Sequence, residues 1–353
     1  MNFTDNTYLK WYLPRLSPMT GALNLHSSGM PAVQADAVSP PPATGFELFG
    51  RVEEKLAEHA GISKEELIFT PGATGGTLLA LLALGGKNAR FVAETPIYEP
   101  MLRQAERLGQ VTRLERTFES GWQIDLEKAA QVIDDETDAV LITEPSNPGG
   151  VFSSRESVIK LAEICRAHGA HLLINEVYRG YSERKSFHGI ADNVLIVNSY
   201  SKLLGAYANR IGWVSGATEL IERLRWTSMN MGTGSVPSAA VGIGFAAQAA
   251  ERTQAAREAA AAGVDLVDQW VASRSDIDWI RPQGPGFGAV RLPPGIDDLA
   301  LVNRLYEEKN VLAVPGTLFF APGLLRISWL QTHGRLQEGL DCISEMLSRH
   351  SSQ

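Results

Sequence analysis

Residues 139–150, Ala-Val-Leu-Ile-Thr-Glu-Pro-Ser-Asn-Pro-Gly-Gly, decide the fold. Five residues of apolar or β-branched character, without alternation, read as a strand buried on both faces, and a polar turn opens at its carboxyl end. The pattern recurs on both sides. Glu66–Thr70, Ala89–Glu94, Val111–Leu114, Ala170–Asn175, Val194–Ser199 and Ile211–Ser215 read as strands. Glu47–His59, Thr74–Leu84, Tyr98–Gly109, Asp125–Ile133, Ser154–His168 and Thr218–Trp226 read as helices. Alternating strand and helix predicts an α/β fold, a mainly parallel sheet covered by helices. Polar residues gather just past the strand ends: Glu94-Thr95-Pro96, Glu144–Asn147, Asn175 and Asn198-Ser199. Open α/β sheets bind ligands at that edge.

After Val236 the pattern changes. A long Ala-rich helix is predicted from Ser238 to Arg274, broken near Gly263. Strands at Gly288–Leu292, Val311–Val314 and Leu325–Trp329 and helices at Leu299–Lys309 and Leu336–His350 make a smaller α+β domain. The Pro-rich tract Ser39–Thr44 separates an N-terminal arm from the large domain. The expected division is 41–237 for the large domain, with 1–40 and 238–353 forming the small one.

The chain has 353 residues, 32 Lys+Arg against 40 Asp+Glu, and a formal net charge of −8. That balance speaks against nucleic-acid and polybasic membrane-surface roles. Its 44% hydrophobic content is too high for disorder. Two cysteines, Cys165 and Cys342, supply neither a disulfide framework nor a CxxC metal site, so no metal is expected. The longest apolar stretches, Thr77–Gly86 and Ser238–Ala250, fall short of the roughly 20 residues a membrane span needs. With no secretory leader read at Met1–Pro18, the expectation is a soluble cytoplasmic enzyme.

Five segments can carry chemistry. Asn198-Ser-Tyr-Ser-Lys202 follows a buried strand, with Arg210 and Gly212 beyond it. Lys202 is either an imine-forming amine in a secluded site or a solvated loop lysine. Ser199, Ser201 and Arg210 suit phosphate oxygens. Pro71-Gly-Ala-Thr-Gly-Gly76 would aim backbone amides at an anion at a helix N-terminus, or serve packing alone. It lacks the spacing of GxGxxG, which argues against a nucleotide-binding dehydrogenase. Tyr98, in Thr-Pro-Ile-Tyr, could stack on a flat ring or pack in the core. Asn147 and the Asn175-Glu-Val-Tyr178 stretch lie at two further strand ends.

In this order the segments resemble the fold-type I, pyridoxal-phosphate-dependent enzymes, specifically the class I/II aminotransferase family. The motifs TPGATGG, ETPIYEP, EPSNPGG, INEVYRGY, NSYSKLLG and LLRISW are specific as a set, and the resemblance runs from about Asn24 to the C-terminus. It implies pyridoxal 5'-phosphate (PLP) as cofactor, a large cofactor domain with a smaller domain that closes on substrate, and a homodimer. It implies amino-group transfer between an α-amino acid and a 2-oxo acid. Lys202 matches the lysine that holds the cofactor covalently and shuttles protons. Ser199, Arg210, Ala73 and Thr74 match the phosphate ligands, and Tyr98 matches the aromatic that stacks on the ring. Asn147 and Tyr178 match donors to the ring's phenolic oxygen. Arg326 matches the arginine that binds the substrate α-carboxylate, and Gly29 the glycine near it. Tyr207, Phe287 and Trp329 could be pocket walls, or core.

Two departures stand out. The family's usual Asp-x-x-Tyr reads Asn175-Glu-Val-Tyr178 here. The aspartate's charge keeps the ring nitrogen protonated, and an amide has none. That opens a non-transaminating alternative, a racemase, lyase or cyclase; a non-catalytic regulator is the remaining one. Glu176 is a poor substitute, because the next strand side chain faces the other way. Secondly, no tyrosine occurs in Phe46–Arg51, where relatives often place one that reaches the partner subunit's cofactor; Phe49 is the nearest aromatic candidate.

Overall fold

The computed structural model describes residues 6–16, 22–231 and 234–350. Among the described residues, seven strands form the main sheet. They are β1 (Leu67–Pro71), β2 (Arg90–Thr95), β3 (Gln110–Glu115), β4 (Ala139–Thr143), β5 (His171–Asn175), β6 (Val194–Ser199) and β7 (Ile211–Gly216). The order is β1-β7-β6-β5-β4-β2-β3, and β7 runs antiparallel to both of its neighbours while the other adjacent pairs are parallel. The sequence reading of a mainly parallel, helix-covered sheet holds. The period-2 rule explains its double burial: Phe91 and Ala93 pack with the helices Gly72–Leu84 and Glu99–Leu108, and Val92 packs on the opposite face with Arg155–Ala167.

The register lines up the strand ends that carry polar residues. Thr143 pairs with Asn175, Asn175 with Val197, and Ser199 with Gly212. Helix starts are fixed locally: Asp125 accepts from Lys128 N at 2.8 Å and Ser154 from Ser157 N at 3.0 Å, each satisfying a first-turn amide.

A second, antiparallel sheet contains β8 (Asp278–Trp279), β9 (Phe287–Arg291), β10 (Val314–Pro315) and β11 (Leu324–Ser328), in the order β10-β11-β9-β8. The single strand expected at Val311–Val314 is two short pieces: Val311–Leu312 pairs with Leu23–Asn24, and β10 pairs with β11. Tyr8 and Trp11 of the N-terminal helix Thr7–Leu16 share a core with Trp279, Val290 and Ile327.

The Ala-rich stretch breaks at Gln248, between helices Val236–Ala247 and Ala249–Ala272, and not near Gly263. Gly263 is a packing glycine. A Cβ there would lie 2.5 Å from Trp329 Cδ1, and the Trp329 indole donates to Ala260 O at 2.8 Å. A glycine read as a helix breaker instead lets helix and indole approach. Ala239, Ala240 and Phe245 pack with Leu48, Val52 and Leu56 beside the main sheet, whereas Val267 and Trp270 join the core of the second sheet. Among the described residues no helix is long and apolar enough to cross a membrane, and no cluster of three potential metal-ligating side chains occurs.

Candidate active site

The carboxyl ends of β1, β2, β4, β5 and β6, with the amino end of the antiparallel β7, carry most of the predicted residues. β1 runs straight into the helix Gly72–Leu84, which begins two residues earlier than the sequence suggests. Ala73 and Thr74 are therefore in the first turn, where amide N–H groups have no intrahelical acceptor. Gly72 has φ 76°, and a Cβ on it would meet Arg210 Nη2 at 2.6 Å. Arg210 Nη2 itself donates to Pro71 O at 3.2 Å. Ser199 closes β6 opposite Gly212. Ala73, Thr74, Ser199 and Arg210 thus meet at one end of the site.

Lys202 lies on the single turn Tyr200–Leu203 that follows β6. Its carbonyl oxygen is held by Met30 N at 2.8 Å and by Tyr181 Oη at 2.7 Å. Its Nζ stands 5.3 Å from the centroid of the Tyr207 ring. Burial, then the positive charges of Arg326 and Arg210, push the amine down to about 7. Gly29 allows the N-terminal segment to come this close: a Cβ there would be 2.8 Å from Lys202 Cα and 2.3 Å from Tyr207 Oη. Gly29 is accordingly packed on the lysine backbone. The Arg326 guanidinium is reached by its neighbour three residues earlier, His26.

Arg326, on β11, is 2% exposed. Its Nη2 donates to His26 O at 2.7 Å and its Nη1 to Asn147 Oδ1 at 3.1 Å. The Phe319 and Phe287 rings lie 4.9 Å and 5.4 Å from its Cζ, and the Tyr8 hydroxyl lies against it. Its Nε is buried without a partner. Among the described residues no carboxylate pairs with it. A buried guanidinium balanced only by neutral acceptors is costly unless an anion arrives.

Asn147 spends its carbonyl on Arg326, which turns its NH₂ group outward as a donor. Tyr178 stacks edge-on against Phe287 at 4.7 Å and its hydroxyl donates to Ser28 Oγ at 3.0 Å. Tyr98 packs edge-on against Tyr8 at 5.2 Å and senses both Arg210 and Arg326. Asn175 Oδ1 accepts from Val177 N at 3.1 Å, so its NH₂ is the free end, with Met101 Sδ at 3.1 Å as a weak acceptor. Glu176 turns away and is fully engaged by Phe187 N at 2.7 Å, Ser186 Oγ at 2.8 Å and Arg179 Nε at 2.9 Å. It supplies no charge beside Asn175. Of the three candidate walls, Tyr207 faces Lys202 and Phe287 touches Arg326, while Trp329 is core against Trp279. Phe49 packs on Phe69 and Phe46.

Sequence reasoning missed Tyr8, Tyr12, His26 and Ser28, all from the N-terminal arm. The spacing of Tyr8, Trp11 and Tyr12 on one helical face was the available signal. It also missed the buried cluster beneath the Asn147 turn. Arg116 Nη2 bridges Glu94 at 2.8 Å and Glu144 at 2.9 Å, and Glu144 also accepts from Ser153 N at 2.9 Å. Burial raises Glu94 to about 7, with Arg116 opposing and Glu144 adding to the shift.

The family described as aminotransferase class I and II matches residues 44–343. The chain is 23% identical to an aspartate aminotransferase of Thermotoga maritima, over 86% of this chain and 81% of that one. In three dimensions it matches a PLP-dependent aminotransferase from Streptococcus suis with a TM-score of 0.86, at 24% identity, covering 99% of this chain and 98% of that one. It matches the PLP-dependent cyclase OrfR with a TM-score of 0.82, at 22% identity, covering 98% and 97%. At such identities these two structures speak to the fold alone, which hosts more than one reaction. The family match extends over most of the chain, from the helix that precedes β1 into the last helix, and the chain belongs to the aminotransferase class I and II family.

Proposed function

We propose that this protein transfers the amino group of an α-amino acid to a 2-oxo acid, with PLP as cofactor. The observation that carries the reading is that an amine held near neutrality, Lys202, and a buried guanidinium without a carboxylate, Arg326, lie close enough for the charge of one to act on the other. The donor set fits the cofactor. First-turn amides and Arg210 suit its phosphate, and Asn147 suits its phenolic oxygen, joined by Tyr178 once its hydroxyl turns away from Ser28 Oγ. Asn175 presents an N–H to the ring nitrogen. When bound, PLP supplies an aldehyde that takes up the substrate's amine and a ring that draws electrons from Cα. Arg326 holds the α-carboxylate as a fork and orients the Cα–H bond. Lys202 Nζ takes and returns the proton at Cα. Gly29 lets the N-terminal segment lie against the Lys202 backbone.

A single-turnover mixture of holoenzyme and amino acid tests the reaction. A transaminase converts its cofactor to the amine form and releases one equivalent of 2-oxo acid. Cofactor left in the aldehyde form with product present sinks the reading in favour of a racemase, lyase or cyclase.

Asn175 favours that second reading. Its carbonyl is committed to Val177 N, so it offers a donor, which matches an unprotonated ring nitrogen. Asn175→Asp places a carboxylate there and raises the nitrogen's proton affinity. The expected result is a shifted cofactor absorbance and about tenfold faster exchange of the substrate α-proton, about one unit of pKa translated into rate. An unchanged spectrum and exchange rate would show that Asn175 does not set the electronics.

Lys202 predicts the pH dependence of cofactor capture. Its pKa is lowered, so the reactive neutral amine dominates above about 7 and the ammonium below it. Attachment of PLP to apoprotein is expected to accelerate from pH 6 to 8 and then level off. A rate still climbing steeply at pH 10 would mean that the amine is unperturbed.

The division into domains falls, in our reading, within the helix Ala249–Ala272 rather than at 238, because Ala256 and Ala260 pack beside the main sheet and Val267 with the second. A cytoplasmic homodimer completes the proposal. Phe46 is 81% exposed, Trp226 68% and Met229 72%, an apolar content that a second copy would cover.

A further inference from the structure

We propose that Arg116 is a positioning residue for the cofactor site: through Glu144 and Ser153 it sets the segment that presents the Asn147 amide to the cofactor's phenolic oxygen. This rests on the aminotransferase reading and concerns what holds one of its donors in place. Asn147 lies between β4 and the helix Arg155–Ala167. Its carbonyl is committed to Arg326 Nη1 at 3.1 Å, which leaves the NH₂ group for the cofactor. A side chain that serves a cofactor atom and the carboxylate anchor together has to be held within about 0.5 Å.

Arg116 supplies that hold. It is 4% exposed and is the first residue after the edge strand β3, and its side chain passes β2 to reach the end of β4. Its Nη2 meets Glu94 Oε2 at 2.8 Å and Glu144 Oε1 at 2.9 Å. Its Nη1 donates to Ser153 Oγ at 3.1 Å and to Trp122 O at 3.3 Å. Glu144 also accepts from Ser153 N at 2.9 Å and from Ser153 Oγ at 2.7 Å. Both ends of the segment, Glu144 and Ser153, are thus fastened to one guanidinium. Glu94 Oε1 accepts from Thr143 N at 2.5 Å, so the same group fixes the strand end from which the segment leaves. Between the ends, Ser146 N donates to Val151 O at 2.9 Å and Gly150 N to Ser146 O at 2.7 Å, so a shift at either end is passed to Asn147.

Trp122 adds an independent contact. Its φ is 61°, a left-handed backbone that a bulky residue keeps only when its surroundings impose it. Arg116 Nη1 engages its carbonyl oxygen, and its indole lies against Gly149, where a Cβ would come within 2.8 Å of Trp122 Cδ1. Arg116 therefore braces the segment at its ends and, through the strained Trp122, two residues past Asn147. Burying an ion pair gains little net stability, and apolar side chains of the same volume would fill this space at least as well. They would not supply direction. A planar guanidinium does, because its donors are fixed relative to one another.

The experiment uses holoenzyme and follows the absorbance of bound PLP against pH. A donor to the phenolic oxygen favours its ionised form, so displacing the donor raises the midpoint of the spectral change. Asn147→Ala is expected to raise it by about one unit, the worth of one hydrogen bond. Arg116→Lys is expected to raise it about as much and to weaken PLP binding about tenfold, because an ammonium has three donors and no fork. Ser153→Ala removes only a hydroxyl from the network and is expected to give about half that shift, which keeps the test open if Arg116→Lys does not fold. Both substitutions retain every charge, so the shift reports position and not the local field. In the Asn147→Ala background neither adds to the shift, since each acts through the side chain already removed. Folded variants with the parent's midpoint overturn the proposal, and a lowered ligand-free Tm in them marks Arg116 as a structural residue. A shift that persists undiminished in the Asn147→Ala background also overturns it. A parent protein that takes up no PLP overturns the aminotransferase reading itself, and this inference with it.

Discussion

Lys202→Ala is expected to lose turnover, with kcat reduced by about 10³-fold or more, while the folded protein still takes up PLP. The amine has two tasks: covalent capture of the cofactor and transfer of the proton at the substrate Cα. General acid–base work alone supplies about 10² to 10⁴ in rate. The fold is insulated from the change, because Met30 N and Tyr181 Oη engage the Lys202 carbonyl oxygen and not its side chain. The phosphate end is insulated too, since Ala73, Thr74, Ser199 and Arg210 lie on other elements or earlier in the chain. Borohydride therefore ceases to fix the cofactor to the protein, although the cofactor still co-elutes with it. A small primary amine added to the solution restores part of the rate, a response that a merely structural lysine would not give. Retention of activity within tenfold of the parent would remove Lys202 from the chemistry.

The parts of this site that were legible from the sequence share one property: each is local to a strand end. Asn147, Asn175, Ser199 and Lys202 follow short apolar runs whose burial on both faces forces the next polar residue to the sheet's edge. Arg326 is legible only through the family motif, because an arginine between apolar strand residues has no local reading. What stayed hidden depends on contacts across long sequence separations. His26 meets Arg326, 300 residues on, and Ser28 meets Tyr178, 150 residues on. No periodicity within the N-terminal arm encodes either pairing. The Glu94–Arg116–Glu144 cluster stayed hidden for another reason. Charged residues near strand ends default to solvent, and only the close pairing of β2 with both β3 and β4 buries all three together. Gly263 shows the limit of residue-type reasoning: the same glycine that weakens a helix also admits the Trp329 indole, and only the packing partner decides which effect matters.

Arg326→Gln is expected to lower kcat/KM by about 10² to 10³, chiefly by raising KM for both the amino acid and the 2-oxo acid. The planar fork supplies paired, charge-assisted bonds to a carboxylate, and removing one partner of a buried, hydrogen-bonded charge pair costs about 2–5 kcal/mol. Arg326→Lys recovers little, since an ammonium cannot reproduce the fork. Stability separates this role from a packing role. In the parent the guanidinium is buried against neutral acceptors only, so the ligand-free protein bears an uncompensated charge that its anion relieves. A non-reactive carboxylic acid at 100 times its Kd should stabilise the parent by about 2.7 kcal/mol, and this gain should vanish in Arg326→Gln. The ligand-free Tm, by contrast, should fall little, because the lost hydrogen bonds to Asn147 and His26 are offset by the removed charge. Amines that lack an α-carboxylate should react equally slowly with both proteins. If such amines lose as much rate as amino acids do, or if the ligand-free Tm collapses, then Arg326 holds the fold together and the carboxylate is bound elsewhere.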